Sequence, residues 1–300
     1  MRRPTRTSEA GRAYLDLQNR ARSERRGTQE LLTLYVVERW LARLSASPYA
    51  DKFVVKGGVL LAAYNARRPT ADLDALARST IHDREAIVSL VSEIAGLPLD
   101  DGVIYQTQTA TSRIIRDQAS YAGVRIAMDS AIATATVKFR LDVNFGDPVT
   151  PAPSRVSLPA LRPGMEPVRV LEYPVETVLA EKVATAIALG PANTRVRDYA
   201  DIYTLTGLHV IAHRTARQAL LATAAYRGTP VQPLSDAIEN LVDLRSRTFN
   251  AYRNSLGNLG QRLPDSLQEV VTAVVTFADP LAKDSSGTTW QPTARQWLAH

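Results

Sequence analysis

Two aspartates two residues apart, Asp72 and Asp74, are the side chains in this sequence best spaced for chemistry. They lie in a short alternating segment, Thr70-Ala71-Asp72-Leu73-Asp74. On an extended strand, successive side chains point to opposite faces, so both carboxylates share one face and Leu73 takes the other. Paired carboxylates without a counter-charge are costly, and a divalent cation removes that cost. Hard oxygen ligands beside room for phosphate suit Mg²⁺, or Mn²⁺. Upstream, the apolar strand pattern of Phe53-Val54-Val55 breaks at Gly57-Gly58, ahead of an apolar helical segment from Val59 to Asn65. Such a break lets backbone N–H groups approach a bound phosphate. An Asp-x-Asp is by itself ordinary surface, and a Gly-Gly an ordinary turn. In this order they point to a metal–nucleotide site.

Other charged residues extend the set. Asp142 falls on the polar face of the clearest strand in the chain, Thr136–Phe145, where Val137, Phe139, Leu141, Val143 and Phe145 alternate with Lys138, Arg140, Asp142 and Asn144. It is a candidate third metal ligand beside Asp72 and Asp74, or a partner of Arg140 or Lys138. Lys182 sits in the otherwise apolar helix ETVLAEKVATAIAL. It either snorkels to water or reaches a phosphate, and a methionine there should keep the fold. Asp198 and Asp201 lie three apart on the following helix, hence on one face. Arg67 and Arg68, just before the Asp pair, are phosphate or RNA-backbone contacts or solvated turn residues.

The elements that must position these residues can be traced in order. Residues 1–26 form a basic arm, helical in part beyond Gly11. Thr28 reads as the N-cap of an amphipathic helix running to about Leu44. A helix is expected from about Asp83 to Ile94, then strands at Val103–Tyr105 and Tyr121–Met128. Residues 146–169 are proline-rich with little periodicity and mark a linker or draped loop. Val168–Tyr173 is a short strand. Pro174 opens the helix Val175–Leu189, which Gly190-Pro191 ends. Helices follow at Arg195–Leu205, His213–Tyr226, Leu234–Arg247 and Ser266–Ala278, and the tail carries no assigned element. The expected domains are a basic helical region over 1–50, a catalytic core over 51–165 and a mostly helical domain over 166–300. The expected fold class is α+β, a mixed sheet flanked by helices and followed by a helical region.

Composition narrows the options. With no cysteine among 300 residues, thiolate metal sites, disulfides and cysteine nucleophiles are excluded. No apolar run approaches a membrane span, and the basic N-terminus lacks the apolar core of a signal peptide. No membrane partner and a cytoplasmic location are therefore expected. The net charge of +6 favours an acidic partner such as RNA, although an arginine-rich proteome would produce the same excess.

Five segments in this order, KGGVLLAAY, RPTADLDA, FRLDVNFGDP, LAEKVATAIA and RVRDYADIYTL, resemble the AbiEii/AbiGii toxin family with its MenT-type members. That family lies within the DNA polymerase β-like nucleotidyltransferase superfamily. The resemblance runs from about Lys52 to Leu205. It implies a toxin of a toxin–antitoxin pair that transfers nucleotides from an NTP to RNA, with the tRNA 3′ acceptor end as substrate and translation blocked as a result. It further implies that Asp72 and Asp74 hold Mg²⁺, that Gly57 and Gly58 face the triphosphate, that Lys182 contacts nucleotide phosphates, and that Asp198 is the fourth-motif acid. Such folds often carry Gly-Ser where this chain has Gly57-Gly58, which removes one hydroxyl contact to phosphate. A cognate antitoxin is the implied protein partner. Because some relatives are silenced by a kinase-like antitoxin acting near this motif, Thr70 is a candidate regulatory residue. Two further readings stay open: a nucleotidyltransferase acting on a protein or small molecule, and a non-catalytic nucleic-acid-binding module.

Overall fold

The computed structural model describes residues 3–61, 72–78, 84–116, 122–283 and 287–299. The chain forms two compact units, Met1–Gly146 with Ser154–Glu172, and Asp147–Pro153 with Tyr173–His300.

The first unit opens with two helices, α1 (Glu9–Glu24) and α2 (Thr28–Ala46). Ser8 caps α1, its hydroxyl accepting from the Gly11 amide at 3.1 Å. The expected cap at Thr28 is displaced by one residue. Gly27 holds the extended N-cap conformation without a side-chain bond, and Thr28 is the first helical residue. Strand β1 (Phe53–Lys56) runs into a short helix, α3 (Gly57–Leu60). Next come β2 (Leu73–Ala77), α4 (Arg84–Gly96), β3 (Val103–Arg116), β4 (Ala122–Ile132), β5 (Ala135–Phe145), β6 (Ser154–Leu158) and β7 (Val168–Glu172). All seven strands form one mixed sheet in the order β3-β4-β5-β2-β1-β7-β6. The β2–β5 and β1–β7 pairs are parallel and the others antiparallel.

Where the structure departs from the sequence patterns, pairing is the reason. Strand β2 begins at Leu73, where its ladder to β5 starts, and its ladder to β1 starts one residue later at Asp74. Strand β3 extends to Arg116 through a polar stretch with no apolar alternation, held by β4 alone at the sheet edge. Within the proline-rich stretch, Ser154–Leu158 pairs with β7. Prolines on either side, Pro153 and Pro159, are compatible with a short edge strand.

One face of the sheet carries the core. Phe139, Leu141, Val143, Ile126, Met128, Leu73 and Val55 are fully or almost fully buried there. Helix α2 lies over this face, with Trp40 stacked on Phe139 at 5.6 Å and set edge-on to Phe53 at 5.8 Å. The charge on this otherwise apolar helix is neutralised internally. Arg43 is 3% exposed and grips Asp101, 2% exposed, through Nη1–Oδ2 at 2.6 Å and Nη2–Oδ1 at 3.2 Å. The same carboxylate accepts from the Val103 amide at 3.0 Å, which ties α2 to the start of β3.

The second unit is mostly helical: α5 (Val175–Leu189), α6 (Val196–Thr206), α7 (His213–Arg227), α8 (Leu234–Ala237), α9 (Leu241–Ser255) and α10 (Leu267–Ala278). The helix expected over Leu234–Arg247 is two helices, because Asn240 takes a left-handed conformation at φ 62° and restarts the chain as α9. The unassigned tail pairs into strands. Strands β9 (Thr288–Gln291) and β10 (Gln296–Ala299) join β8 (Ile211–Ala212) in a small antiparallel sheet. Trp290 and Trp297 on that sheet pack against Phe277, with ring centroids 5.1 and 5.3 Å away.

Removing one partner of a buried ion pair strands the other charge, so Asp101→Ala should lower the unfolding free energy by about 3–5 kcal/mol. The exposed Lys138–Asp129 pair is the control, and Asp129→Ala should change stability by less than about 1 kcal/mol. Urea denaturation of the two variants measures the contrast, and equal losses would contradict it.

Candidate active site

The site grows from strand register. Directly across from Asp74 on β2 stand Lys56 on β1 and Asp142 on β5. Directly across from Asp142 stands Arg125 on β4. Laterally paired residues point to the same face. A transverse row therefore reads Lys56, Asp74, Asp142, Arg125 over four adjacent strands, on the face opposite α2. Asp72, the residue before β2, lies next to this row. Its Oδ2 is 3.2 Å from Nη2 of Arg125, and its Oδ1 is 3.7 Å from Nη1 of Arg140.

Arg125 is the centre of this arrangement. Its guanidinium meets Asp142 in a two-pronged contact, Nε–Oδ1 and Nη2–Oδ2 both at 2.6 Å, while Nη2 also donates to Asp72. These hydrogen bonds to Asp142 hold the guanidinium far above its ordinary pKa, against the opposing effect of burial and with help from the charges of Asp142, Asp72 and Asp74. Asp142 is only 8% exposed, and a fork-shaped guanidinium is the partner suited to a carboxylate at that depth. Its partner is thus neither Arg140 nor Lys138, since Lys138 pairs with Asp129 at 2.8 Å.

Gly57 is shaped by Asp74. Its φ of +72° lies in the left-handed region, and a Cβ there would come within 2.8 Å of Asp74 Cγ. Only glycine admits both that backbone and that carboxylate. Gly58 is buried in the first turn of α3.

The sequence-proposed residues therefore fall into three groups. Asp72, Asp74, Asp142, Gly57 and Gly58 belong to the first unit, and the three aspartates share one sheet face. Lys182 and Asp198 are brought together in the second unit. Arg67, Arg68 and Thr70 lie outside the described residues. Asp72 and Asp74 have the donor chemistry for a hard cation such as Mg²⁺. Asp142 is committed to Arg125, so joining a metal would require that pair to open. Among the described residues, no three His, Asp or Glu side chains converge as a ready-made cage.

Lys182 neither snorkels nor stands alone. Its Nζ lies 2.7 Å from Asp198 Oδ1 and 2.8 Å from Asp201 Oδ2, and Arg195 adds a contact of 2.6 Å to Asp198 Oδ2. Burial alone would push the Asp198 carboxyl up, but the charges of Lys182 and Arg195 overcome it and hold the group at about 2. The expectation that methionine at 182 would keep the fold is revised on this geometry. Lys182→Met would leave two buried carboxylates, 2% and 5% exposed, without this countercharge.

Sequence reasoning missed Lys56 and Arg125. Arg125 had a signal: it alternates with Val124 and Ile126 on a strand that a two-residue turn, Ala133-Thr134, joins to β5. Counting outward from that turn brings Arg125 opposite Asp142. The turn was inconspicuous because its positive-φ residue is Ala133, at 51°, where glycine or asparagine is usual.

The profile of the AbiEii family, described as nucleotidyl transferase AbiEii toxin of a type IV toxin–antitoxin system, matches residues 39–274. The chain belongs to this family. The match spans β1 to α10 and contains every residue of both charge clusters. AbiEii membership makes the protein a toxin-type nucleotidyltransferase, with a nucleotide substrate and an antitoxin partner. No curated protein matches the chain. Two solved Helicobacter pylori structures resemble it at 16% identity. One, assigned as a nucleotidyltransferase, has a TM-score of 0.48 over 85% of this chain and 96% of its own. The other, JHP933, has a TM-score of 0.42 over 83% and 97%. Among the described residues no helix is long and apolar enough to cross a membrane.

The Asp198 cluster generates a pH prediction. A carboxylate depressed from 3.8 to about 2 adds stability that is present above 3.8 and is lost as pH falls through about 2. Asp198→Asn should cost about 2 kcal/mol at neutral pH, with the gap to the parent closing toward pH 2. Urea midpoints across that range read it out, and a gap that stays constant with pH would exclude the charge mechanism.

Proposed function

We propose that this toxin is a Mg²⁺-dependent (or Mn²⁺-dependent) enzyme that transfers nucleotides from an NTP to RNA, at the tRNA 3′ acceptor end, and so blocks translation until a cognate antitoxin restrains it. The observation that carries the reading is the lateral pairing of Asp74 with Asp142, beside Asp72, on the sheet face opposite α2. Asp72 and Asp74 would hold the metal, which when bound neutralises the triphosphate and the departing pyrophosphate. The attacking 3′-hydroxyl oxygen would form its bond to the α-phosphorus as the bond to pyrophosphate breaks, its proton passing to Asp142 or to water. Nucleotidyl transfer demands positioning and charge neutralisation above all, and the chain supplies both. Arg125 holds Asp72 and Asp142 in place through direct hydrogen bonds. The open space at Gly57 lets Asp74 lie close to the β1–α3 turn. In the second unit, Lys182, held by Asp198 and Asp201, is the residue that would contact nucleotide phosphates. The excess of positive charge favours RNA as acceptor over an uncharged small molecule.

Incubation with each labelled NTP in turn, Mg²⁺ and total RNA tests this directly. Label should enter a tRNA-sized species, and chelation of the metal should stop it. Asp72→Ala and Asp74→Ala should each abolish transfer while leaving a folded protein. Full activity in either variant would remove the metal assignment, and label in protein alone would change the acceptor.

Regulation at Thr70 is part of the same reading. A phosphate two residues before Asp72 would add about −1.5 to −2 charges where the triphosphate must arrive. Thr70→Glu should therefore be nearly inactive and Thr70→Val substantially active in the label-transfer assay. An active Glu variant would defeat the electrostatic argument. A dead Val variant would instead make the hydroxyl itself a working group.

A further inference from the structure

The charged row continues past Arg125. On edge strand β3, Arg113 lies directly opposite Arg125 in register. Arg125 is already met by Asp142 and Asp72. What the row adds beyond them is Arg113, an exposed cation that a strand pair of like charges would place more favourably beside an anion. This arrangement is also built by a specific irregularity. Gln106 pairs with Asp129, yet Thr111 pairs with Ala127, so the register shifts between them. Had the first register continued, Arg113 would fall on the face of Ile126 and Met128, the core side. The shift changes the parity of the strand and moves Thr111 and Arg113 to the face of Arg125 and Asp142.

The result is a cavity of about 540 Å³ lined by Asp72, Thr111, Ser112, Arg113, Arg125 and Arg140. Arg84, from α4, braces its edge by donating through Nε to the Ser112 hydroxyl at 2.6 Å and through Nη2 to the Ser112 carbonyl at 2.7 Å. Three guanidinium groups come from three adjacent strands, β3, β4 and β5, spread over about 10 Å with strands about 4.8 Å apart. Arg125 and Arg140 also balance Asp142 and Asp72, and Arg113 lies beyond them. The cavity ends at Asp72, the carboxylate proposed to hold the metal.

We propose that this cleft binds the sugar–phosphate backbone of a single-stranded nucleic-acid acceptor and leads its 3′ end to Asp72. The proposal rests on the RNA-acceptor reading above and adds where the acceptor lies. Charge spread over three strands suits successive phosphodiesters better than the concentrated charge of one triphosphate. The hydroxyl of Thr111, on the same face as Arg113 in register, suits phosphate or 2′-hydroxyl contacts. None of these groups reads base edges in a fixed pattern, so the cleft takes the strand with little regard to sequence.

The test compares the parent full-length protein with Arg113→Gln and Arg113→Lys. Affinity for a short fluorescent single-stranded RNA is measured by anisotropy over a range of salt, and affinity for inorganic triphosphate with Mg²⁺ by calorimetry. Losing one phosphate contact should reduce the slope of log K against log salt by about 0.7. The Gln variant should show that drop together with several-fold weaker RNA binding and unchanged triphosphate affinity, and the Lys variant should keep most of the parent slope. Because Arg113 opposes another arginine, the Gln variant should melt no lower than the parent. An unchanged slope overturns the proposal, as does a fall in triphosphate affinity with RNA binding intact, which would assign the cleft to the NTP. If the parent labels RNA but the slope does not move, only the cleft assignment fails. If the parent neither binds nor labels RNA, the acceptor reading itself fails.

Discussion

The two-pronged contact between Arg125 and Asp142 is the interaction on which the site face depends. Asp72, Asp74 and Asp142 cluster where Asp142 is largely removed from water, and carboxylates in such a place repel one another. A flexible lysine would neutralise the charge without fixing geometry. The planar guanidinium of Arg125 does both, because Nε and Nη2 engage Asp142 while Nη2 also reaches Asp72. Lys56 flanks the row from the other side, directly across from Asp74. The acids are thus set in place before any substrate arrives, and preorganised charge of this kind is what phosphoryl and nucleotidyl transfer require.

The second unit solves a similar problem with the signs reversed. There a single cation, Lys182, rises from an apolar helix and is met by two carboxylates three residues apart on α6. Arg195 then balances Asp198 from the start of the same helix. In both clusters no charge is left alone, and each is anchored on regular secondary structure. Substitutions in either place therefore act on stability as well as on chemistry, so a loss of transfer activity becomes informative only beside a measurement of folding.

Much of the framework was legible in the chain. The alternation over Thr136–Phe145 marked both the buried and the polar face of β5, and the apolar period of α2 marked the helix that covers the core. Gly57 and the Asp-x-Asp pair were recognisable from residue type and spacing. Less visible were β6, hidden among prolines, and the tail strands that carry Trp290 and Trp297. Such short strands take their order from pairing, β6 with β7 and β9 with β10 and the distant β8, rather than from an apolar alternation of their own.

What the sequence by itself determined is therefore everything that depends on near neighbours. It determined which face of β5 is polar, where α5 stops, that Asp72 and Asp74 share a side, and that the ordered motifs belong to a nucleotidyltransferase toxin family. Only the tertiary structure decided who pairs with whom. Arg125, rather than Arg140 or Lys138, neutralises Asp142 because a turn at Ala133 sets the hairpin register. Arg113 shares the face of Arg125 and Asp142 because one irregularity in β3 reverses its side. A strand repeats every two residues, so a shift of one pairing step exchanges its faces. Composition and periodicity leave that choice open, and hydrogen-bonded register settles it.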